Sequence, residues 1–120
     1  MTENNNSLTF DAYQNDTNAT AIYPGAGFGG ADALAYTALG LSGEAGEVAN
    51  KVKKILRDSG GQVSEQVRTD LAKEVGDVLW YVARFADEIG YDLGYLAEEN
   101  LKKLRSRAER GVITGSGDNR

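Results

Sequence analysis

The sequence predicts an all-α protein, a helical bundle of about four helices with two long antiparallel helices and a core completed by oligomerisation. Two long segments place apolar residues at alternating steps of four and three, which is the spacing of one helix face. No segment alternates apolar and polar residues for long enough to predict a strand. A single domain is expected over 1–120, with residues 1–7 and 112–120 as flexible or extended termini.

The first two elements are predicted from caps and turn residues. Ser7 is the predicted N-cap of a short helix from about residue 8 to residue 19. The segment IYPGAGFGGAD follows and holds the only proline of the chain. Its glycines resemble a dinucleotide-binding fingerprint, but that fingerprint needs a preceding β-branched strand, and none is present. The segment is therefore predicted to be a surface loop.

The first long helix is predicted near 32–58, where the sequence SGG ends it. The second is predicted near 64–90, between a cap at Ser64 and Gly90. Short connections favour antiparallel neighbours. The apolar stripe of the first helix is Leu34, Ala38, Leu41, Ala45, Val48, Val52 and Ile55, and that of the second is Val67, Leu71, Val75, Val78, Val82, Phe85 and Ile89.

A last helix is predicted between Asp92, as its N-cap, and Gly111. Its apolar stripe is weaker and consists of Leu93, Leu96, Leu101 and Leu104. Two long stripes with few other apolar residues leave a thin core in one chain. This predicts self-association.

Composition and charge exclude several function classes. The formal net charge is -5 and there is no basic run, which argues against binding to a nucleic acid duplex. The absence of cysteine and histidine excludes disulfides, thiol nucleophiles, zinc-thiolate sites and histidine bases. The polar start MTENNNSL is not expected to be a signal peptide, and no apolar run approaches the roughly 20 residues of a membrane span. A cytoplasmic protein without a membrane partner is expected.

Four acidic residues form two matching pairs on the long helices. Glu44 and Glu47 are three residues apart, as are Glu74 and Asp77, and each pair borders an apolar stripe. If the stripes pack together, the carboxylates converge, and a divalent cation would offset their repulsion and burial. Ligand sets of oxygen alone favour Mg2+, with Mn2+ as the alternative ion. The other interpretation is a solvated acidic face, which is common at helical spacing.

Glycines flank both acidic pairs. A glycine inside a helix costs about 1 kcal/mol relative to alanine. This cost predicts that a neighbouring helix or a ligand comes close to the backbone. The glycines concerned are Gly40, Gly43, Gly46 and Gly76.

Basic and amide residues near the acids could hold phosphate groups. Lys51 lies four residues after Glu47, with Lys54 one turn further on. On the last helix an amide, an ammonium and a guanidinium share one face, a combination that suits a polyphosphate. These three residues are Asn100, Lys103 and Arg107. The alternatives are simple ion pairing for the first set and a solvated face for the second.

Taken together, the residues resemble the MazG-like nucleoside triphosphate pyrophosphohydrolases of the single-domain type. The pattern is Glu44-x-x-Glu47, 26 residues, then Glu74-x-x-Asp77. The resemblance runs from about residue 10 to residue 120, through YQNDTNATAIYP, LGLSGEAGEVANKVKKIL, LAKEVGDVLWYVA, NLKKLRSR and GSGDNR. Many members have a glutamate where this chain has Gly43, and the GAGFGG stretch is longer than expected.

The resemblance implies hydrolysis of an NTP or dNTP to NMP and pyrophosphate, for nucleotide-pool housecleaning or control. It implies Mg2+ held by all four acids and attack by a water associated with the metal. It also implies a homodimer or a dimer of dimers. By analogy the phosphates would be held by Lys51, Lys54, Asn100, Lys103 and Arg107, and the base would stack near Phe10, Tyr13 or Trp80, although Trp80 and Tyr81 could equally be core residues. Two alternatives are a hydrolase of another nucleotide compound, a diphosphate or an alarmone, and a catalytically silent helical interaction module.

Overall fold

The computed structural model describes residues 7–120, and within that range its regular structure is entirely helical. Helix α1 spans Phe10–Asp16 and continues as a short 3-10 helix over Thr17–Thr20. Helices α2, α3 and α4 span Ala31–Asp58, Glu65–Glu88 and Leu93–Glu109. The predicted all-α class, with two dominant long helices, is confirmed.

Helix α1 begins later than the sequence analysis predicts. Thr9, not Ser7, is the N-cap, because its extended backbone lets its hydroxyl accept a hydrogen bond from the Ala12 N–H. The helix also ends early. The Thr17 hydroxyl donates to the Gln14 carbonyl at 2.6 Å, and such local bonds to the backbone compete with continued α-helix. The prediction of one helix over 8–19 is therefore wrong at both ends.

The ends of the long helices follow the predicted signals. At the end of α2, Gly60 and Gly61 take positive φ values, and the Gly61 N–H returns to the Ile55 carbonyl at 3.1 Å. The Ser64 hydroxyl accepts from the Val67 N–H and caps α3. The predicted ranges agree with the observed ones to within two residues at each end.

Helices α2 and α3 pack side by side as an antiparallel pair. The Tyr36 ring lies 6.5 Å from that of Tyr81, and further along α2 the Lys51 ammonium lies 3.9 Å from the Glu74 carboxylate. The contacts thus move forward along α2 as they move back along α3, which defines the antiparallel arrangement.

Only part of each predicted stripe lies in this contact. On α2, Ile55 is buried and Leu41 and Val48 are half-buried, whereas Ala38 and Val52 are exposed. The contact face is rotated toward neighbouring positions and includes Ala33, Thr37 and Glu44. As a result Glu44 and Glu74 are half-buried between the helices, whereas Glu47 and Asp77 are exposed. The exposed half of the stripe stays uncovered in one chain.

A buried arginine connects α3 to the 3-10 helix and the loop after it. Arg84 is 1% exposed and donates to the Asn18 amide oxygen at 2.6 Å, to the Thr17 hydroxyl at 3.2 Å and to the Tyr23 hydroxyl at 3.1 Å. It also reaches the Glu88 carboxylate at 3.5 Å. Buried charge is tolerated only when it is paired and hydrogen-bonded, and here both conditions are met. One side chain thus ties α3 to the 3-10 helix and to the loop that follows it.

The glycine-rich loop, residues 21–30, is organised around the buried carboxylate of Glu88. The N–H groups of Gly27 and Gly29 donate to its two oxygens at 2.8 and 2.9 Å, and the Tyr23 hydroxyl also donates. Burial, followed by the bond to Glu88, raises the pKa of Tyr23 to about 12, so the phenol remains a donor. The backbone donors that could face a phosphate are already taken by the protein's own carboxylate. The prediction of a surface loop is confirmed.

Helix α4 is fixed at its N-terminus by α1. The Gln14 amide oxygen accepts from the Leu93 N–H at 2.9 Å, and the Asp11 carboxylate accepts from the Gly94 N–H at 2.8 Å. Asp92 occupies the predicted N-cap position, but its side chain makes no capping bond. Among the described residues α4 packs on α1 and α3 and makes no contact with α2.

The C-terminal residues 112–120 form turns beside α4. The Arg120 guanidinium donates to the carbonyls of Val112, Ile113 and Gly117, at 2.6 to 3.0 Å. Asp118 lies against Lys103 and Arg107 of α4. The segment is therefore closed on itself and held to the last helix.

The described chain buries few large apolar side chains. Its radius of gyration is 17.5 Å, against about 14 Å for a compact domain of this length. Large apolar side chains stay accessible on both long helices, with Leu39 73%, Leu56 70% and Val75 57% exposed. None of the helices over residues 7–120 combines the length and the apolar character that crossing a membrane requires.

Candidate metal centre

Three of the four predicted metal ligands come together between α2 and α3. Each of Glu44, Glu74 and Asp77 can offer one carboxylate oxygen, and these oxygens lie within 4.8 Å of one another. Glu44 and Glu74 are half-buried and Asp77 is exposed. Mg2+ binds oxygen ligands at about 2.1 Å, so opposite ligands of one ion stand about 4.2 Å apart. The spread of the three oxygens is close to that limit.

Glu47, the fourth predicted ligand, lies outside this group. It is exposed and stands one turn after Glu44 on α2. Its charge still reaches the group, because it contributes to the raised pKa of Glu44. The predicted set of four is thus found in one chain as three close carboxylates and one nearby.

The three acids repel one another. Partial burial raises the pKa of Glu44, and contact with the Glu74 carboxyl and the charges of Asp77, Glu74 and Glu47 raise it further. Without a cation, the site therefore makes the ionised form of Glu44 less favourable than it is in water. A donor set of three carboxylates under mutual repulsion fits a divalent cation, which would relieve that repulsion.

Of the two lysines of α2 that were predicted to hold phosphate, Lys51 lies beside the acids and Lys54 does not reach them. The Lys51 ammonium stands 3.9 Å from a Glu74 oxygen, with both side chains partly buried. Lys54, one turn further along α2, is exposed, and its charge acts on Asp58. Among the described residues, Lys51 is therefore the positively charged side chain at the border of the acidic cluster.

A cleft of about 320 Å3 opens next to the acids. Its walls are Glu44, Asp77, Trp80, Tyr81 and Thr20. The Trp80 indole N–H donates to the Thr20 hydroxyl at 3.0 Å, and its ring meets that of Tyr81 edge-on at 5.0 Å. An aromatic wall beside a carboxylate cluster can hold a planar base next to a charged group.

Contacts among the described residues explain why glycine is needed at only one of the four helical positions near the acids. A Cβ on Gly40 would overlap the Tyr81 ring, with Cδ1 at 2.6 Å and other ring atoms nearer. Around Gly43, Gly46 and Gly76 there is open space. The predicted close approach thus holds for Gly40, where a neighbouring helix supplies the ring.

A second, apolar cleft of about 180 Å3 lies between α1 and α3. Phe10 and Tyr13, both predicted near the base, line it together with Leu8, Thr9 and Leu79. Burial, and after it the charge of Asp77, raises the pKa of Tyr13. The Tyr13 phenol is therefore near enough to Asp77 for that charge to act on it.

The predicted phosphate face of α4 lies apart from the acids in one chain. Asn100 and Lys103 line a separate cleft of about 430 Å3. Lys103 and Arg107 contact one oxygen of Asp118, at 3.3 and 3.1 Å. The hydrogen bond from Arg107, then that from Lys103, and then the charges of both lower the pKa of that carboxyl. Within residues 7–120 the buried Nε of Arg107 has no hydrogen-bond partner.

Sequence reasoning missed two features of this site. Thr20 of the 3-10 helix reaches the cleft because that turn is bonded to α3, through Arg84 to Thr17 and through Trp80 to Thr20 itself. No local sequence signal predicts these connections. Tyr81 was interpreted only as a core or stacking residue, yet it lies four residues after Asp77 and so shares its face. That spacing could have placed it at the acids.

Comparisons with known proteins agree with this arrangement. Residues 33–112 match the model of the MazG nucleotide pyrophosphohydrolase domain. The chain is 54% identical over 111 residues to the Gene 37 protein of Mycobacterium phage L5, which covers 92% of this chain and 97% of that protein. No solved structure gives a significant match. The matched region contains α3, α4 and all but the first two residues of α2, with the three clustered carboxylates, and the chain belongs to the MazG nucleotide pyrophosphohydrolase family.

Proposed function

We propose that the protein is a Mg2+-dependent hydrolase that cleaves nucleoside triphosphates, ribo- or deoxyribo-, to the monophosphate and pyrophosphate. The observation that carries this proposal is the group of Glu44, Glu74 and Asp77 within 4.8 Å, in a chain of this family. We propose a cytoplasmic enzyme formed by a single domain over residues 1–120.

The three carboxylates would hold the cation, Mg2+ or Mn2+, with Glu47 as a further ligand or as a neighbour that adds negative charge. A cation there would supply positive charge against the phosphates and would make a nearby water more acidic. In a chain without histidine, the remaining carboxylate oxygens are the groups able to orient that water. Lys51 would add charge at the border of the site.

The aromatic residues would hold the nucleoside. Trp80 lies in the wall of the acidic cleft, and Phe10 and Tyr13 line the apolar cleft between α1 and α3. Stacking on an aromatic face tolerates any base, so these residues favour binding without selecting one base strongly. Selection would come from polar groups at the rim, of which Thr20 is the nearest described example.

The direct test offers a panel of NTPs and dNTPs, normal and damaged, to the full chain with Mg2+. Pyrophosphate together with the monophosphate is the expected product, and the ratio of kcat/KM values across the panel identifies the preferred base and sugar. Release of orthophosphate would instead indicate a hydrolase of another phosphate compound. No turnover of any compound with Mg2+ or Mn2+ would support a catalytically silent helical module.

We also propose that the active form is a homodimer or a homotetramer, in which α4 of one copy can approach the acids of another. Two facts support this: α4 makes no contact with α2 in one described chain, and large apolar side chains such as Leu39 and Leu56 stay exposed. Light scattering at micromolar concentration should give at least twice the monomer mass of 12.9 kDa. A monomer mass would contradict the assembly.

Mixing two inactive variants tests whether the copies share a site. Glu74→Gln removes an acid, and Lys103→Ala removes a proposed phosphate ligand. If a site takes its acids from one copy and α4 from another, mixed oligomers contain some intact sites and recover activity. A mixture as inactive as its components would show that each chain builds its own site.

A further inference from the structure

The ring of Tyr81 rests directly on the backbone of α2. Gly40 has no side chain at this point, and any Cβ would overlap the ring. The ring is also held laterally, with the Tyr36 ring at 6.5 Å and the Trp80 ring at 5.0 Å. Tyr81 therefore acts as a fixed spacer between the two long helices.

This contact stands one helical turn from the acids on both helices. Gly40 is four residues before Glu44 on α2, and Tyr81 is four residues after Asp77 on α3. Because both helices are continuous through this region, a change in their separation at the ring is transmitted to the acids one turn, about 5.4 Å, away.

We propose that the packing of the Tyr81 ring on Gly40 is the positioning contact that sets the separation between Glu44 and the Glu74–Asp77 pair. This proposal rests on the proposed function, because it concerns the metal site of that function. Mg2+ requires near-ideal octahedral geometry at about 2.1 Å, so a displacement of a few tenths of an ångström across the site weakens binding. Tyr81 is a positioning residue in this account and touches the helix, not the reacting phosphate.

The site offers a matched pair of substitutions. Gly40→Ala and Gly43→Ala add the same methyl group to the same helix, three residues apart. At Gly43 nothing lies within 4 Å, whereas at Gly40 the methyl group meets the Tyr81 ring. Both substitutions favour the helix in intrinsic propensity, so a difference between them reports the contact with Tyr81.

Binding of Mn2+ to the full chain, followed by electron paramagnetic resonance, is the main measurement, with helix content from circular dichroism. We expect Gly43→Ala to bind like the parent and Gly40→Ala to bind at least about tenfold more weakly, with unchanged helix content. Tyr81→Phe keeps the ring and should bind like the parent, whereas Tyr81→Ala should bind weakly. In a Tyr81→Ala background, Gly40→Ala should have little further effect.

The outcomes separate this inference from the proposed function. A parent that binds no Mn2+ would overturn the proposed metal site, and the positioning role with it. If the parent and Gly40→Ala bind Mn2+ equally well, the positioning role alone is overturned. The same holds if Gly40→Ala weakens Mn2+ binding as much in the Tyr81→Ala background as in the parent. If Gly40→Ala loses its helix content, the test is the difference in Mn2+ binding between Tyr81→Phe and Tyr81→Ala. Equal Mn2+ binding by these two variants would overturn the proposal.

Discussion

Glu74→Gln is expected to abolish pyrophosphate release while leaving the metal-free protein at least as stable as the parent. The substitution keeps the shape of the side chain and removes one of three carboxylates that crowd together within 4.8 Å. Less repulsion favours the metal-free fold, whereas the lost partner of Lys51, a partly exposed pair at 3.9 Å, costs at most about 1 kcal/mol. Metal–ligand and charge interactions are worth several kcal/mol in a transition state, so turnover should fall by about 100-fold or more.

The measurements are thermal melting with and without Mg2+, alongside pyrophosphate release. Glu65→Gln is the matched control, since it makes the same change on the same helix at a side chain that is 93% exposed and outside the acidic group. The control should keep both activity and the Mg2+-dependent rise in melting temperature. Equal stabilisation of parent and Glu74→Gln by Mg2+, or equal turnover, would contradict the metal site.

Glu88→Gln is expected to give the largest loss of stability, about 3 kcal/mol or more in the free energy of unfolding. Glu88 and Arg84 are both buried, and removing one charge leaves the other without its buried counterion. The glutamine also presents an amide N–H2 to a site where Gly27, Gly29 and Tyr23 all donate. At least one donor loses its acceptor. Urea unfolding of the full chain measures the effect.

Asp87→Asn provides the comparison for this prediction. Asp87 also contacts Arg84, at 3.2 Å, but its side chain is 38% exposed. An exposed partner is screened by water, so this substitution should change the free energy of unfolding by less than about 1 kcal/mol. Similar losses for Asp87→Asn and Glu88→Gln would show that burial does not determine the contribution of this network.

The contribution of Glu88 to stability should decrease as the pH falls. Burial tends to raise the pKa of Glu88, but the hydrogen bonds from Tyr23, Gly27 and Gly29 and the charge of Arg84 outweigh it and lower the pKa. A carboxyl with a lowered folded pKa stabilises the protein above its unfolded value, about 4.3, and loses this contribution as the pH falls through the folded value. The stability difference between parent and Glu88→Gln should therefore narrow below about pH 4.

The sequence predicted well the features that depend on local signals. The Ser64 cap, the glycines after α2 and α3 and the repeated apolar spacing act within a few residues, and they located both long helices. The predicted cap of α1 was Ser7 and the observed cap is Thr9. Serine and threonine are both strong caps, so residue type alone does not distinguish these positions.

Features that join distant residues were not predictable in the same way. Arg84 and Thr37 are almost fully buried, although the apolar spacing predicted that Ala38, which is exposed, would face the core. Val82 is partly buried against the core, as that spacing predicted. Arg84 is buried because it is hydrogen-bonded to Thr17, Asn18 and Tyr23, more than 60 residues away in sequence. Apolar periodicity carries no information about such bonds.

In the candidate site, too, local spacing was predictable and the arrangement of the helices was not. Helical spacing predicted that Glu44, Glu74 and Asp77 would converge, since each pair shares a face of one helix. It could not show that Glu47 stands outside the close group, because the exact rotation of α2 decides this. Nor could it show that Asn100 and Lys103 line a different cleft in one chain, because helix spacing does not determine how helices are arranged.

The most direct test of the central claim is phosphorus NMR of the full chain turning over a preferred NTP with Mg2+ in water enriched in oxygen-18. Attack on the α-phosphorus puts the heavy oxygen in the monophosphate and releases unlabelled pyrophosphate. We predict this pattern for the parent and its loss in Glu74→Gln. A nucleoside diphosphate with labelled orthophosphate, or product formation by Glu74→Gln at the parent's rate, would contradict the account.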